Sequence, residues 1–285
     1  MKLFNKVILF VITFSLLGCT NTEVKDQRKE AYSLLQSYYA TLEEITSLDD
    51  LIGMEALNIE SDDLAIPEGI INSSSSASLA KGMIALTLHG DSTKEYIPIL
   101  EGYVHENGAI DAKNDSTYAN LQVYGIYGLY LIDSNQLDLA CDYLVSLQNE
   151  DGSFSISTGE DADITGWCIE ALALVDQIKY KETIDLAIDY LESIYHSPYY
   201  EGGYGGNADT QCSVLYGLLE ADYEIEDEAI DYILTFENKD GTFYSPTTGQ
   251  GKNNSYTTSE VAKFLGNYYN GNILKKAREQ YEEIN

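Results

Sequence analysis

The chain has 285 residues, 47 of them Asp or Glu against 16 Lys or Arg, which gives a formal charge of −31 at neutral pH. A surface this acidic repels the phosphates of nucleic acids and anionic lipid headgroups alike, so nucleic-acid binding is excluded as a function. Four cysteines without a CxxC spacing provide neither a disulfide framework nor a zinc ribbon.

At the start of the chain, Lys2 and Lys6 precede the apolar run Val7 to Leu17, which Gly18 and Cys19 follow. That run is too short to cross a bilayer. Its basic start, apolar middle and small closing residue describe a secretory signal, and Leu16-Leu17-Gly18-Cys19 resembles the bacterial lipoprotein cleavage box. Processing would remove residues 1–18 and leave Cys19 as a lipid-bearing N-terminus on the extracytoplasmic face of the cell membrane. Residues 19–74 then read as the anchored N-terminus, with a helix over 26–46, a short helical segment near 50–58 and a serine linker at Ser73 to Ser76. The repeat domain is expected over 75–285.

Two kinds of helix alternate from there. Ala77 to Leu88, Leu121 to Ile132, Trp167 to Val175 and Val214 to Leu219 are apolar on nearly every face, so they must be enclosed. Lys94 to His105, the stripe Leu137, Ala140, Cys141, Leu144, Leu147 and the stripe Ile184, Ala187, Ile188, Leu191, Ile194 are apolar on one side and belong outside. A terminal helix spans Asn272 to Glu283. About twelve helices in inner and outer pairs predict an all-α fold, an α/α toroid of about six hairpins, with an open α-solenoid as the alternative. Cys141, Cys168 and Cys212 fall in these helices and read as buried thiols, a Cys168–Cys212 bridge being the other option. Outer-to-inner connections such as 149–162, 196–208 and 238–254 are long, and a stacked ring gathers them on one rim, where function is expected.

Asp115, Asp163, Asp209 and Ser255 precede the apolar runs and read as helix N-caps. Aligning the helices on them puts Gln122 and Glu170 in the same place. A polar group on an apolar helix needs water or a partner, so both are expected either to face the central cavity or to make buried structural hydrogen bonds. In the first case Tyr124, Trp167 and Tyr216 would form an aromatic wall beside them, with Tyr204 of the Gly202 to Gly206 loop at the lip.

Ala140, Tyr143, Leu144, Gln148, Gly152 and Phe154 recur as Ala229, Tyr232, Ile233, Glu237, Gly241 and Phe243, and this pattern resembles the glutamine–tryptophan repeat of protein prenyltransferase β subunits and squalene or oxidosqualene cyclases. The resemblance covers roughly residues 75–270 and implies the toroid. Its chemistry does not carry over residue by residue. The cyclases' proton-donating DxDD has its nearest counterpart in Asp161-Ala-Asp163-Ile164, which lacks the last Asp. Asp49-Asp50 and Asp62-Asp63 lack the third Asp of a DDxxD, and no Asp-x-Cys zinc pair occurs. No cofactor or metal is therefore expected. The reading that results is a non-catalytic module for a small molecule or an envelope protein. A divergent cyclase or transferase using Asp161, Asp163 or Glu170 is the first alternative, and a structural platform in the envelope is the second.

Overall fold

The computed structural model describes residues 27–67, 69–111, 113–114, 116–156, 161–195 and 203–285. Within these the chain forms twelve α-helices: α1 (27–39), α2 (Leu48–Ala56), α3 (Ser76–Leu88), α4 (Ile97–Glu101), α5 (Ala119–Leu131), α6 (Leu137–Val145), α7 (Ala162–Asp176), α8 (Lys181–Ile194), α9 (Ala208–Glu220), α10 (Asp227–Leu234), α11 (Ser255–Asn270) and α12 (Ile273–Ile284). The signal segment and Cys19 lie outside the described residues.

The inner helices close a circle. In order, α2, α3, α5, α7, α9 and α11 each pack on the next, and α11 packs back on α2. The toroid, not the open solenoid, is the architecture. Where these helices touch, side chains give way to backbone: a Cβ on Gly166 would lie 2.3 Å from the Ser213 carbonyl oxygen of α9, and one on Gly266 would lie 2.5 Å from that of Ala56 in α2.

Outside the circle α1, α4, α6, α8 and α10 show one apolar stripe each to it, as their periodicity requires. The expected outer helix at Lys94 to His105 is shorter, a single 3-10 turn at Lys94–Tyr96 running into α4. The ring also begins before residue 75. Helix α2 is one of its inner members, and Arg28 of α1 is buried against α10, its guanidinium 2.6 Å from Asp227 and 2.7 Å from Asp231. Residues assigned to an N-terminal extension thus complete the circle.

Repeat residues join the layers. Gly108, Gly152 and Gly241 all have φ near +80 to +90°, and each turn lies against the backbone of the next outer helix, where a Cβ would meet Leu139, Leu186 and Leu34 respectively. Gln148 Nε2 donates to the carbonyls of Gly152 at 3.0 Å and Thr183 at 2.9 Å, pinning the end of α6 to the start of α8.

In the α10 repeat Glu237 takes that place, and an ionised carboxylate has no proton to donate. Its Oε1 is buried without a partner, and burial, then Glu30, push its pKa up. A carboxyl raised in the folded state adds stability below its ordinary pKa and loses it as pH rises through the raised value. Glu237→Gln is therefore expected to stabilise the chain by about 1 kcal/mol near pH 7, with the gain shrinking toward pH 4. Thermal unfolding at the two pH values measures this; a variant no more stable at pH 7 contradicts it.

Helix α12 departs from the expected pattern. It does not extend the outer layer but lies across the end of the ring where the inner helices finish. Lys276 reaches Glu55 of α2 at 3.0 Å, Lys275 reaches Glu220 of α9 at 2.6 Å, and Arg278 pairs with Asp133 just beyond α5. The C-terminal ends of the inner helices carry partial negative charge as well as these acids, which explains why Lys275, Lys276 and Arg278 of this helix are turned to that end. The opposite end bears the long loops.

Candidate functional site

The caps set the register of the ring. Side chains of Ser75, Asp161, Asn207 and Asn254 cap α3, α7, α9 and α11, and Tyr118 occupies that position in α5. Asp163, Asp209 and Ser255 stand inside the first turn instead, and Asp115 lies outside the described residues. The cap of α7 is Asp161, whose carboxylate accepts from the Ile164 N–H.

With this correction Gln122 and Glu170 part company. Gln122 aligns with Thr165, Gln211 and Thr258, each four residues past its cap, and these four do the same work. Gln122 Oε1 accepts from the Ile110 N–H at 2.9 Å and its Nε2 donates to the carbonyls of Gly108 and Ala140. Gln211 accepts from the Tyr204 N–H and donates to Ala229, while the hydroxyls of Thr165 and Thr258 accept from Phe154 and Phe243. All four tie an inner helix to the turn outside it, so Gln122 does not reach the centre. Tyr204 is likewise remote from it, stacked on Tyr195 with ring centroids 4.7 Å apart.

Glu170 stands nine residues past its cap, level with Tyr127, Tyr216 and Lys263, and these four meet in the middle. Glu170 is fully buried and accepts from the Tyr127 hydroxyl at 2.6 Å. Lys263 Nζ lies 3.4 Å from Glu170 and 3.9 Å from the centroid of the Tyr216 ring. Asn272, from the sealing helix, also approaches Glu170 at 3.4 Å. A buried charge persists only with such partners, and an ammonium against an aromatic face is one of them.

One turn nearer the loops, Lys81, Tyr124, Trp167 and Glu260 each stand six residues past their caps. Lys81 Nζ is 2.6 Å from Asp49 and 5.1 Å from the Tyr124 centroid, and Tyr124 packs edge-on against Trp167. Tyr216 donates its hydroxyl to Glu260 at 2.9 Å. Burial pushes the Glu260 carboxyl up to about 7, Asp49 adds to the shift, and Lys263, Lys81 and Tyr216 oppose it. At the mouth, burial and the neighbouring Asp161 and Asp209 raise Asp163 to about 6 against a hydrogen bond from Thr210.

The structure thus brings Tyr124, Trp167, Glu170 and Tyr216 together and leaves Gln122, Tyr204 and Asp161 elsewhere. The central lysines were not singled out from the sequence. Counting from a residue that is Tyr, Asp or Asn to a Gln or Thr four positions on would have found the register of α5, α7, α9 and α11, and with it Lys263; α3 has Leu79 at that position, so Lys81 carries no such signal. The space these side chains leave is small, a cavity of about 40 Å³ lined by Tyr124, Trp167, Glu260 and Lys263 and floored by Leu274 of α12. That is room for one or two waters. Cys141, Cys168 and Cys212 are free thiols, all buried, so the Cys168–Cys212 bridge does not form. No group of acids, cysteines and histidines among the described residues could hold a metal ion.

No family model matches the sequence, and no curated protein does. Among solved structures the chain is similar to ent-copalyl diphosphate synthase from Streptomyces platensis, with a TM-score of 0.54 and 12% identity over 79% of this chain. It spans half the length of that protein. A likeness at this identity shows the fold, which is therefore terpenoid cyclase-like.

Proposed function

We propose that this chain is a lipid-anchored module of the bacterial envelope whose toroid binds a ligand or partner at the long-loop rim and performs no chemistry in its centre. The observation that carries the absence of chemistry is the filled centre, which also leaves the rim, and not a central cavity, as the place for binding. Lys263 and Lys81 occupy the space between the aromatic rings and carboxylates, leaving about 40 Å³, whereas ligand pockets typically enclose about 300–1,000 Å³. A polyprenyl chain that must fold before cyclising has no place there.

The acids support the same conclusion. With its carboxyl at about 6, Asp163 is mostly ionised at neutral pH, the wrong state for protonating an alkene. Asp161 is engaged as a helix cap. A structural platform in the envelope predicts the same side-chain-filled centre, which the ring has, but it also needs a broad apolar outer patch. The exposed large apolar residues of the outer layer stand singly, Ile99 on α4, Leu139 on α6 and Leu186 on α8.

Incubation with geranylgeranyl diphosphate or squalene, with and without Mg²⁺, is expected to give no product. Product whose formation is lost in Asp163→Asn would overturn the reading.

A further inference from the structure

We propose that the end of the ring sealed by α12 is the face turned toward the lipid bilayer, in contact with uncharged or zwitterionic headgroups, so that the long-loop rim is held away from the membrane. This orientation rests on the anchoring of Cys19 proposed above. Arg28 stands nine positions after Cys19, a reach of at most about 30 Å when extended. Where the tether meets the ring is settled by Arg28, which is 1% exposed and clamped to Asp227, the first residue of α10. Helix α10 follows the short turn after α9, so Arg28 sits at the sealed end.

The same end carries the most exposed large apolar side chain among the described residues, Ile178, which is 90% exposed in the turn between α7 and α8. Apolar side chains at a membrane-facing surface lose less by exposure than they do in water. Charge decides which lipid. Lys179, Lys181, Lys275 and Arg278 at this end are paired with Asp138, Asp185, Glu220 and Asp133; Lys29 beside Arg28 is exposed without an acidic partner among the described residues, but the chain's overall charge repels an anionic headgroup. The loop-bearing rim lies one inner helix farther out, about 20 Å for the fifteen residues of α7.

The test uses the full lipidated chain in phosphatidylcholine vesicles that carry an energy-transfer acceptor on the headgroup. A donor dye is placed on Ile178→Cys at the sealed end or on Lys252→Cys at the rim; the three native thiols of the ring are buried. Transfer is expected to be severalfold stronger from position 178. Equal or stronger transfer from position 252, in protein that floats with the vesicles, overturns the orientation alone. Wild-type protein that does not float, or floats equally well as Cys19→Ser, overturns the anchoring and the orientation together.

Discussion

Gly166→Ala is expected to destabilise the ring by about 3 kcal/mol or more, at the upper end of what overpacking costs. The new methyl carbon would stand 2.3 Å from the Ser213 carbonyl oxygen and 2.6 Å from the Val214 Cα, both backbone atoms of α9 that no rotamer change can move. Gly217 faces back across the same seam, where a Cβ would lie 2.4 Å from the Gly166 carbonyl, so a shift of one helix compresses the other contact. Alanine's better helix propensity returns about 1 kcal/mol, too little to offset this. For a chain of this size the midpoint of thermal unfolding should fall by about 6–12 °C. Gly82→Ala is the comparison, because its Cβ would meet the outer atoms of the half-buried Ile71 side chain, which can rotate. If the two variants unfold alike, the inner helices are not in backbone contact at Gly166.

Lys263→Met is expected to cost about 3–5 kcal/mol, the range for removing one member of a buried ion pair. Methionine fills much the same volume and can lie on the Tyr216 ring, so packing is largely kept. What is lost is the positive charge beside Glu170, which is fully buried, and the opposing influence on Glu260. The cost should grow between pH 6 and pH 8. Glu260 is raised to about 7 in the folded protein, so it favours folding below its ordinary pKa and loses that advantage as pH passes through 7; without Lys263 its ionisation becomes more costly still. Adding Glu170→Gln should restore much of the stability, since the amide leaves no buried charge to satisfy. Chemical denaturation of the two single variants and the double variant measures the coupling. A double variant as unstable as the sum of the singles would show that the two groups act independently.

Much of the scaffold was legible because periodicity reports burial. The all-round apolar runs of α5, α7 and α9 require enclosure, and the one-sided stripes of α6 and α8 require a neighbour on one side, which together predict a two-layered helical fold. Gly152 and Gly241 marked turns that pack against the next outer helix; the third such turn, at Gly108, follows Asn107 as those glycines follow Asp151 and Asp240, but the residues around it have diverged.

The register was less legible. Asp163 and Asp209 are good capping residues that stand two positions inside the true caps, whereas Asp115 stands three positions before Tyr118, and the two offsets together aligned Gln122 with Glu170 when one faces out and the other in. The role of α12 was hidden for a different reason. Its stripe of Ile273, Leu274 and Ala277 is indistinguishable from that of an outer helix, and only the acids waiting at the ends of α2, α5 and α9 tell it where to lie. The candidate site suffered most, because Lys81 and Lys263 are unremarkable on their own helices and acquire meaning only when the circle closes around them.

The account depends on the centre of the ring being occupied by its own side chains, and Trp167, the chain's single tryptophan, reports on that space because it lines the cavity. Its fluorescence during titration with geranylgeranyl diphosphate, with Mg²⁺ present, is predicted to show no saturable change. A saturable blue shift or quench that disappears in Tyr124→Ala would mean that the centre opens to an isoprenoid ligand, and the account would be wrong.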